Sequence, residues 1–259
     1  MNRIALHQST VRPLTPVELV DVASRAGIDS IGLRVGGVGP EVDEVQQWWA
    51  KGVGSPMLRE LVTALLESRV TVLDVGRVQL GPELRVVDFA HPYARVLEVG
   101  TRLGAQFVTA RAATDAADDP AELFATLAEL AARYRLRPLL SVVAGTPVDT
   151  LERACAVVAG TPGGVVLDIS PHRHASTDVE ETVVELADRL GYVRVAAREL
   201  EEPAVGVPGL LATLPPQVAV VIGDPDGGGA IEGDHVARVS ALRAAVDGML
   251  RHPRAAGHP

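Results

Sequence analysis

Lysine is almost missing from this chain. Of its 24 basic residues only Lys51 is a lysine, and it stands in the Gly-rich run Lys51-Gly52-Val53-Gly54, outside any strand pattern. Schiff-base catalysis needs a lysine amine desolvated in a pocket, so a lysine-dependent aldolase or a pyridoxal-phosphate enzyme is disfavoured. Cysteine is equally scarce. Cys155 stands alone, which removes disulfides within the chain and any cysteine-built zinc site; its place in a helix pattern puts it in the core. Aromatic residues make up 3%, so the core has to be aliphatic. Basic runs are absent, the net charge is −9 and the pI is near 5.3. Binding driven by phosphate neutralisation needs a basic face, and nucleic acid is set aside as a partner. No apolar run reaches the roughly 18 residues that span a bilayer. The first residues, Met1-Asn2-Arg3-Ile4-Ala5-Leu6-His7, enter a strand pattern with no signal-peptide core. The expectation is a cytoplasmic protein that meets a small-molecule substrate, with neither membrane nor nucleic acid as partner.

What is present is aliphatic and periodic. The chain has 259 residues, 47% of them hydrophobic, with a mean hydropathy of +0.20. Continuous apolar runs recur at 4–7, 28–35, 70–75, 105–110, 136–143, 165–169, 193–197 and 218–222. Unbroken apolar runs suit parallel strands covered on both faces. Helix-period stretches lie between them at 16–26, 56–67, 88–103, 120–134, 147–159 and 179–190. A short seventh follows at about 208–214 and a last one at about 234–250.

Helix starts carry clear local signals. Thr15-Pro16-Val17-Glu18, Asp119-Pro120-Ala121-Glu122 and Thr146-Pro147-Val148-Asp149 each set an oxygen-bearing cap, then proline, then an acid at the positive helix end. Three helices are expected to stop at a glycine, in Arg25-Ala26-Gly27-Ile28, Arg102-Leu103-Gly104-Ala105 and Arg189-Leu190-Gly191-Tyr192. Eight alternating strand–helix units over one domain's length predict a closed (β/α)8 barrel in the α/β class. Residues 1–250 form that barrel as a single domain, and 251–259 read as a disordered tail. An open doubly wound sheet is the rival, but no Gly-x-Gly-x-x-Gly follows the first strand.

Barrels of this type place their chemistry at the C-terminal ends of the strands. Those ends read His7 and Gln8, Arg34, Asp74 with Arg77 and Gln79, Arg111, Ser141, Asp168, Arg198 with Glu199, and Asp224 with Asp226. Arg34 and Arg111, if both face inward, suit a carboxylate or phosphate; pairing with Asp74 and Asp168 at the barrel mouth is the structural alternative. The densest segment is Asp168-Ile169-Ser170-Pro171-His172-Arg173-His174. Asp168, His172 and His174 could hold a divalent metal, yet no fourth ligand is evident. A metal-free acid/base role for these three is the expectation, with no cofactor. His7, Arg34, Asp74, Arg111, Ser141, Arg198 and Glu199 are the substrate-binding candidates. Asp224-Pro225-Asp226-Gly227-Gly228-Gly229 follows the last strand and reads as a flexible loop, because its acids would repel phosphate. Trp48-Trp49 lies in the long second loop, either over the mouth or packed beneath that loop.

Several stretches resemble the xylose-isomerase-like superfamily of sugar-phosphate isomerases and epimerases. They are Ala23 to Arg34, Arg102 to Val108, Thr146 to Ala154, and Gly164-Val165-Val166-Leu167-Asp168. The likeness is diffuse and covers nearly the whole chain. It implies a divalent metal held by a Glu ending strand five, an Asp ending strand six, a His or Gln on strand seven and a Glu ending strand eight. Carried across, these positions read Ser141, Asp168, Ala196 and about Gly223, so only Asp168 matches. The family's histidine after the strand-six Asp has a counterpart in His172, shifted by one residue. The resemblance therefore implies an isomerase- or epimerase-like enzyme stripped of most metal ligands. Its work would be proton transfer on a small polar or anionic metabolite (isomerisation, epimerisation, dehydration or cyclisation); the Arg/Ala/Gly/Pro-rich, lysine-poor composition adds the expectation of a biosynthetic, specialised-metabolite pathway. Two other readings stay open: a non-catalytic barrel kept as a binding or partner subunit, and a metal site rebuilt from Asp168, His172 and His174.

Overall fold

The computed structural model describes residues 2–11, 14–35, 55–86, 91, 93–113, 118–169, 183, 186–203, 206–224 and 233–251. Eight parallel strands close on themselves in chain order: β1 (Ile4–His7), β2 (Ser30–Arg34), β3 (Thr71–Leu80), β4 (Phe107–Ala112), β5 (Arg137–Ser141), β6 (Gly164–Ile169), β7 (Leu190–Val195) and β8 (Ala219–Ile222). The seam is the β1–β8 pair, with Ala5 opposite Val221. Asn2 reinforces it from below, donating to the carbonyls of Pro215 (2.7 Å) and Val218 (2.8 Å).

The described helices are α1 (Pro16–Arg25), α2 (Pro56–Ser68), α3 (Ala94–Arg102), α4 (Pro120–Arg133), α5 (Leu151–Val158), α6 (Ala197–Glu201), α7 (Val207–Thr213) and α8 (His235–Leu250). The Thr15 cap is a full capping box: Thr15 Oγ1 accepts from Glu18 N at 3.2 Å, and Glu18 Oε2 accepts from Thr15 N at 2.8 Å. Asp119 caps α4 through Ala121 N at 2.9 Å. Thr146-Pro147 starts no helix. Thr146 Oγ1 bonds the Val143 carbonyl and the Val148 amide in a turn, and α5 begins later under a Thr150 cap. Gly27 and Gly104 end their helices at φ +73° and +68°, as the sequence predicts.

Gly191 does not end a helix. It lies inside β7, where the register with β6 slips so that Val165 faces Leu190 and Val166 faces Tyr192. A Cβ at Gly191 would sit 2.2 Å from Leu139 Cδ1, so the absence of a side chain permits this close bulge. β7 thus starts three residues earlier than the apolar run suggests and ends at Val195, short of Ala196. β3 also differs, running on to Leu80 past the expected end at residue 75.

The core has two parts. Between strands and helices lies the large aliphatic shell. Inside the barrel, Ala5, Leu73, Leu139, Val166, Tyr192, Ala219 and Val221 fill the lower layers, with Phe107 against them. Cys155 is half-buried, packed on the outer shell. No helix among the described residues is long and apolar enough to cross a membrane.

Candidate active site

Above the apolar plug, the inward positions turn polar. Alternation along the strands brings His7 on β1, Thr109 on β4, Ser141 on β5, Asp168 on β6 and Arg194 on β7 to one level, and the register shift where Ile31 pairs with Val72 but Gly32 with Asp74 adds Asp74 on β3. Asp168 and Arg194 face each other across the β6–β7 ladder. Arg194 Nη2 donates to Asp168 Oδ2 at 2.8 Å, and its Nε donates to Asp168 Oδ1. The same Nη2 makes a long bond of 3.5 Å to Ser141 Oγ. The two side chains are 10% and 2% exposed, which makes this a buried bidentate pair, the geometry guanidinium prefers. Burial works against the charge of Arg194, but the Asp168 carboxylate more than offsets it and drives the guanidinium pKa up.

Asp74 lies on the other side of the interior and is fully buried. Its Oδ2 accepts from the Tyr192 hydroxyl at 3.1 Å and from Thr109 Oγ1 at 3.5 Å. Its Oδ1 has no hydrogen-bond partner. Burial disfavours the carboxylate and pushes the Asp74 pKa up to about 6. The Arg194 charge and the two hydroxyl bonds pull the other way without cancelling it. Burial and the nearby Asp74 charge also raise the Tyr192 phenol well above its ordinary value, so Tyr192 stays a donor.

Two glycines make room for these groups. A Cβ on Gly32 would meet Asp74 Oδ1 at 2.3 Å and His7 Cδ2 at 2.6 Å. A Cβ on Gly223, just past β8, would meet His7 Cβ at 3.0 Å and Arg194 Cδ at 3.2 Å. His7 thus reaches from the Gly223 side, where Arg194 lies, to the Gly32 side, where Asp74 lies. The His7 ring is fixed by the turn at Gln8–Thr10. Nδ1 accepts the Ser9 backbone N–H at 3.1 Å and lies 2.7 Å from Ser9 Oγ. Ser9 Oγ in turn accepts the Asp224 backbone N–H at 3.1 Å.

The remaining candidates separate. Arg34 and Arg111 continue the inward rows of Gly32 and Thr109 one step higher, and both are partly buried. The Arg34 amide donates to Gln8 Oε1 at 3.1 Å. Arg198 and Glu199 are on α6, not on a strand. They are ion-paired to each other at 3.3 Å, with side chains 63% and 7% exposed. His172, His174, Asp226, Trp48 and Trp49 lie outside the described residues.

No protein-family model matches the sequence, and no curated protein matches it. Solved structures do. The xylose isomerase domain containing protein of Salmonella typhimurium superposes with a TM-score of 0.69 at 13% identity, over 96% of this chain and 97% of that one. The IOLI protein, solved with a binding zinc atom, gives 0.69 at 14% identity, over 96% and 98%. The D-allulose 3-epimerase of Methylomonas sp. gives 0.67 at 14%, over 96% and 99%. The fold is that of the xylose-isomerase-like barrels.

The four positions that the resemblance implies for a cation fall at the ends of β5, β6, β7 and β8. Strand five contributes Ser141 and strand six Asp168. On strand seven the carried-over position, Ala196, lies past the strand at the start of α6, and the residue in register with Asp168 is Arg194. Strand eight contributes Gly223. These four do not fit a divalent cation. They supply one carboxylate, and both of its oxygens already hold a guanidinium. A metal ion would meet the Arg194 charge at short range. Among the described residues no group of three His, Cys, Asp or Glu side chains is placed to hold a metal.

Arg194 and Tyr192 are the site residues that reading the sequence misses. Their signal was the alternation Tyr192-Val193-Arg194-Val195, polar inward and valine outward, which the presumed helix stop at Gly191 concealed.

Proposed function

We propose that the chain is an isomerase- or epimerase-like enzyme that moves a proton on a small polar or anionic metabolite without a metal, using Arg194 where related barrels use a cation. The observation that carries this reading is the Arg194–Asp168 pair at the mouth of the barrel. A guanidinium held there by a carboxylate is a preorganised positive charge in a partly dry site, and such charges stabilise oxyanions far better than they would in water. The meeting of carboxylate, imidazole and guanidinium groups on one level favours catalysis over a purely structural barrel.

The chemistry is enolisation. A base removes the proton from a carbon beside a carbonyl, the C–H electron pair becomes the C=C π bond, and the carbonyl π pair moves onto oxygen. Arg194 faces that oxygen. While the base holds that proton it exchanges with solvent; a proton then returns to the other face of the same carbon, giving the epimer, or, once the hydroxyl proton on that carbon has passed to the oxyanion, to the former carbonyl carbon, giving the isomer. Of the acid/base candidates, His172 and His174, which follow Asp168 in the sequence, keep the proton-moving role, on the strength of sequence. Asp168 aims the guanidinium. Arg34 and Arg111 form the anion-holding side of the rim, which suits a substrate bearing a carboxylate or phosphate.

The test is deuterium wash-in. Chelator-treated protein is incubated in D2O with aldoses, ketoses, their phosphates and 2-oxo acids, and proton NMR follows the signal beside the carbonyl. Exchange is expected with at least one class of compound. Arg194→Met should slow it by about a hundredfold or more, as removal of an oxyanion donor does. No exchange with any compound, or exchange that appears only after adding Mn2+, rejects the reading.

A further inference from the structure

The turn after β1 settles the protonation state of His7. Its Nδ1 faces the Ser9 backbone N–H at 3.1 Å, a group that can only donate. Nδ1 must therefore accept, and a neutral imidazole whose Nδ1 accepts carries its single proton on Nε2. Ser9 Oγ strengthens the same choice. It takes the Asp224 N–H at 3.1 Å and sits 2.7 Å from Nδ1 with its own proton to give. The hydroxyl can join the backbone amide as a donor to the same ring nitrogen, and a proton on Nδ1 would be set against the Ser9 N–H. Nε2 is bonded to Cδ2, the ring atom that lies against Gly32 in the barrel interior.

Position adds the second half. His7 on β1 and Arg194 on β7 flank β8, and both lie against the bare Cα of Gly223, at 3.0 and 3.2 Å from where a Cβ would stand. Any side chain there would push them apart. We propose that His7 is a catalytic electrophile: its Nε2–H and the Arg194 guanidinium donate to the same face of a bound α-hydroxycarbonyl compound, one to each oxygen of the planar enediolate it forms. This rests on the enolisation reading above and names its substrate class. A neutral imidazole suits this task, because as a donor it stabilises a developing oxyanion without surrendering a full proton. No atom is gained or lost at His7. The hydrogen bond to oxygen shortens as charge develops there and relaxes when the carbonyl reforms.

Glycolohydroxamate, a planar mimic of a cis-enediolate, serves as the probe, with chelator present so that no metal can carry it. In protein labelled with 15N histidine, assigned by loss of one signal set in His7→Leu, His7 should show an unprotonated Nδ1 and a protonated Nε2. The Nε2–H signal should move downfield when the probe binds. His7→Leu should weaken binding about tenfold or more, the usual worth of one hydrogen bond to a charged group, while His7→Gln, which keeps a donor near the Nε2 place, should restore most of it. A merely structural histidine would give neither the shift nor the rescue. A proton on Nδ1, or unchanged affinity in both His7 variants, overturns the proposal. If Arg194→Met abolishes binding while the His7 variants do not, this inference fails and the enolisation reading stands. If wild-type protein does not take the probe at all, both fall.

Discussion

The two halves of the barrel mouth solve the problem of a buried carboxylate in opposite ways. On the β5–β8 side, Asp168 meets Arg194 through two bonds. On the β1–β4 side, Asp74 is just as deep, yet it receives only hydroxyl bonds on Oδ2 and leaves Oδ1 without a partner. A buried charge with a bidentate partner can stay ionised, whereas one met only by neutral donors tends to take up a proton. The interior is thus divided between a fixed ion pair and an acid poised to titrate, and only the first can act as a permanent charge for chemistry.

Breaking the paired side should have the largest effect. Arg194→Met leaves Asp168 buried and uncompensated, at a cost of about 3–5 kcal/mol in stability, measured by urea denaturation. Adding Asp168→Leu should recover most of that stability but none of the deuterium exchange. Recovery of both would mean that the pair is scaffolding. The second half is probed through pH. The folded pKa of Asp74 is raised to about 6 from 3.8, so between those values the native state binds more protons than the unfolded chain. Stability from this group is therefore full below pH of about 4 and is lost as pH rises through about 6, a fall of about 3 kcal/mol. Asp74→Asn should flatten that slope in denaturation curves taken across the window; a wild-type slope of the opposite sign would contradict the assignment. A smaller effect sharpens the boundary between the halves. Gly32→Ala places a methyl 2.3 Å from Asp74 Oδ1 and 2.6 Å from His7 Cδ2. The overpacking should cost about 1–3 kcal/mol and disturb the His7 ring signals, while a wild-type spectrum and melting point would show that the interior yields freely.

The division also marks what the sequence could disclose. The closed barrel followed from apolar runs spaced by capped helices, and His7, Asp74, Ser141 and Asp168 stood out because each is a polar residue at or within an apolar strand pattern. Arg194 did not stand out, because the run read as 193–197 set it near the strand's start and put the strand end at Arg198 and Glu199, whereas β7 opens at Leu190 and closes at Val195. A glycine that ends a helix and a glycine that allows a bulge look alike in one dimension; only the packing of Leu139 on Gly191 tells them apart. Asp74 was visible as a position but not as a chemical state. Its raised pKa comes from burial inside the closed barrel, offset only in part by Arg194 and by the hydroxyl of Tyr192, 118 residues away in the chain, relations that no local pattern encodes. The run of β3 to Leu80 stayed hidden for a similar reason: Gly76 and Arg77 interrupt the apolar stretch, although the ladder to β4 continues past them.

The claim on which the account turns is that Arg194 supplies the positive charge that a divalent cation supplies in ligand-complete barrels of this fold. Titration of the wild-type protein with Mn2+, followed by the EPR signal of the free ion at neutral pH, tests it most directly. The account predicts that Mn2+ stays in solution, and that uptake begins only when the positions are refilled together as Ser141→Glu, Arg194→His and Gly223→Glu. Stoichiometric capture by the wild-type chain, lost on Asp168→Asn, would contradict it.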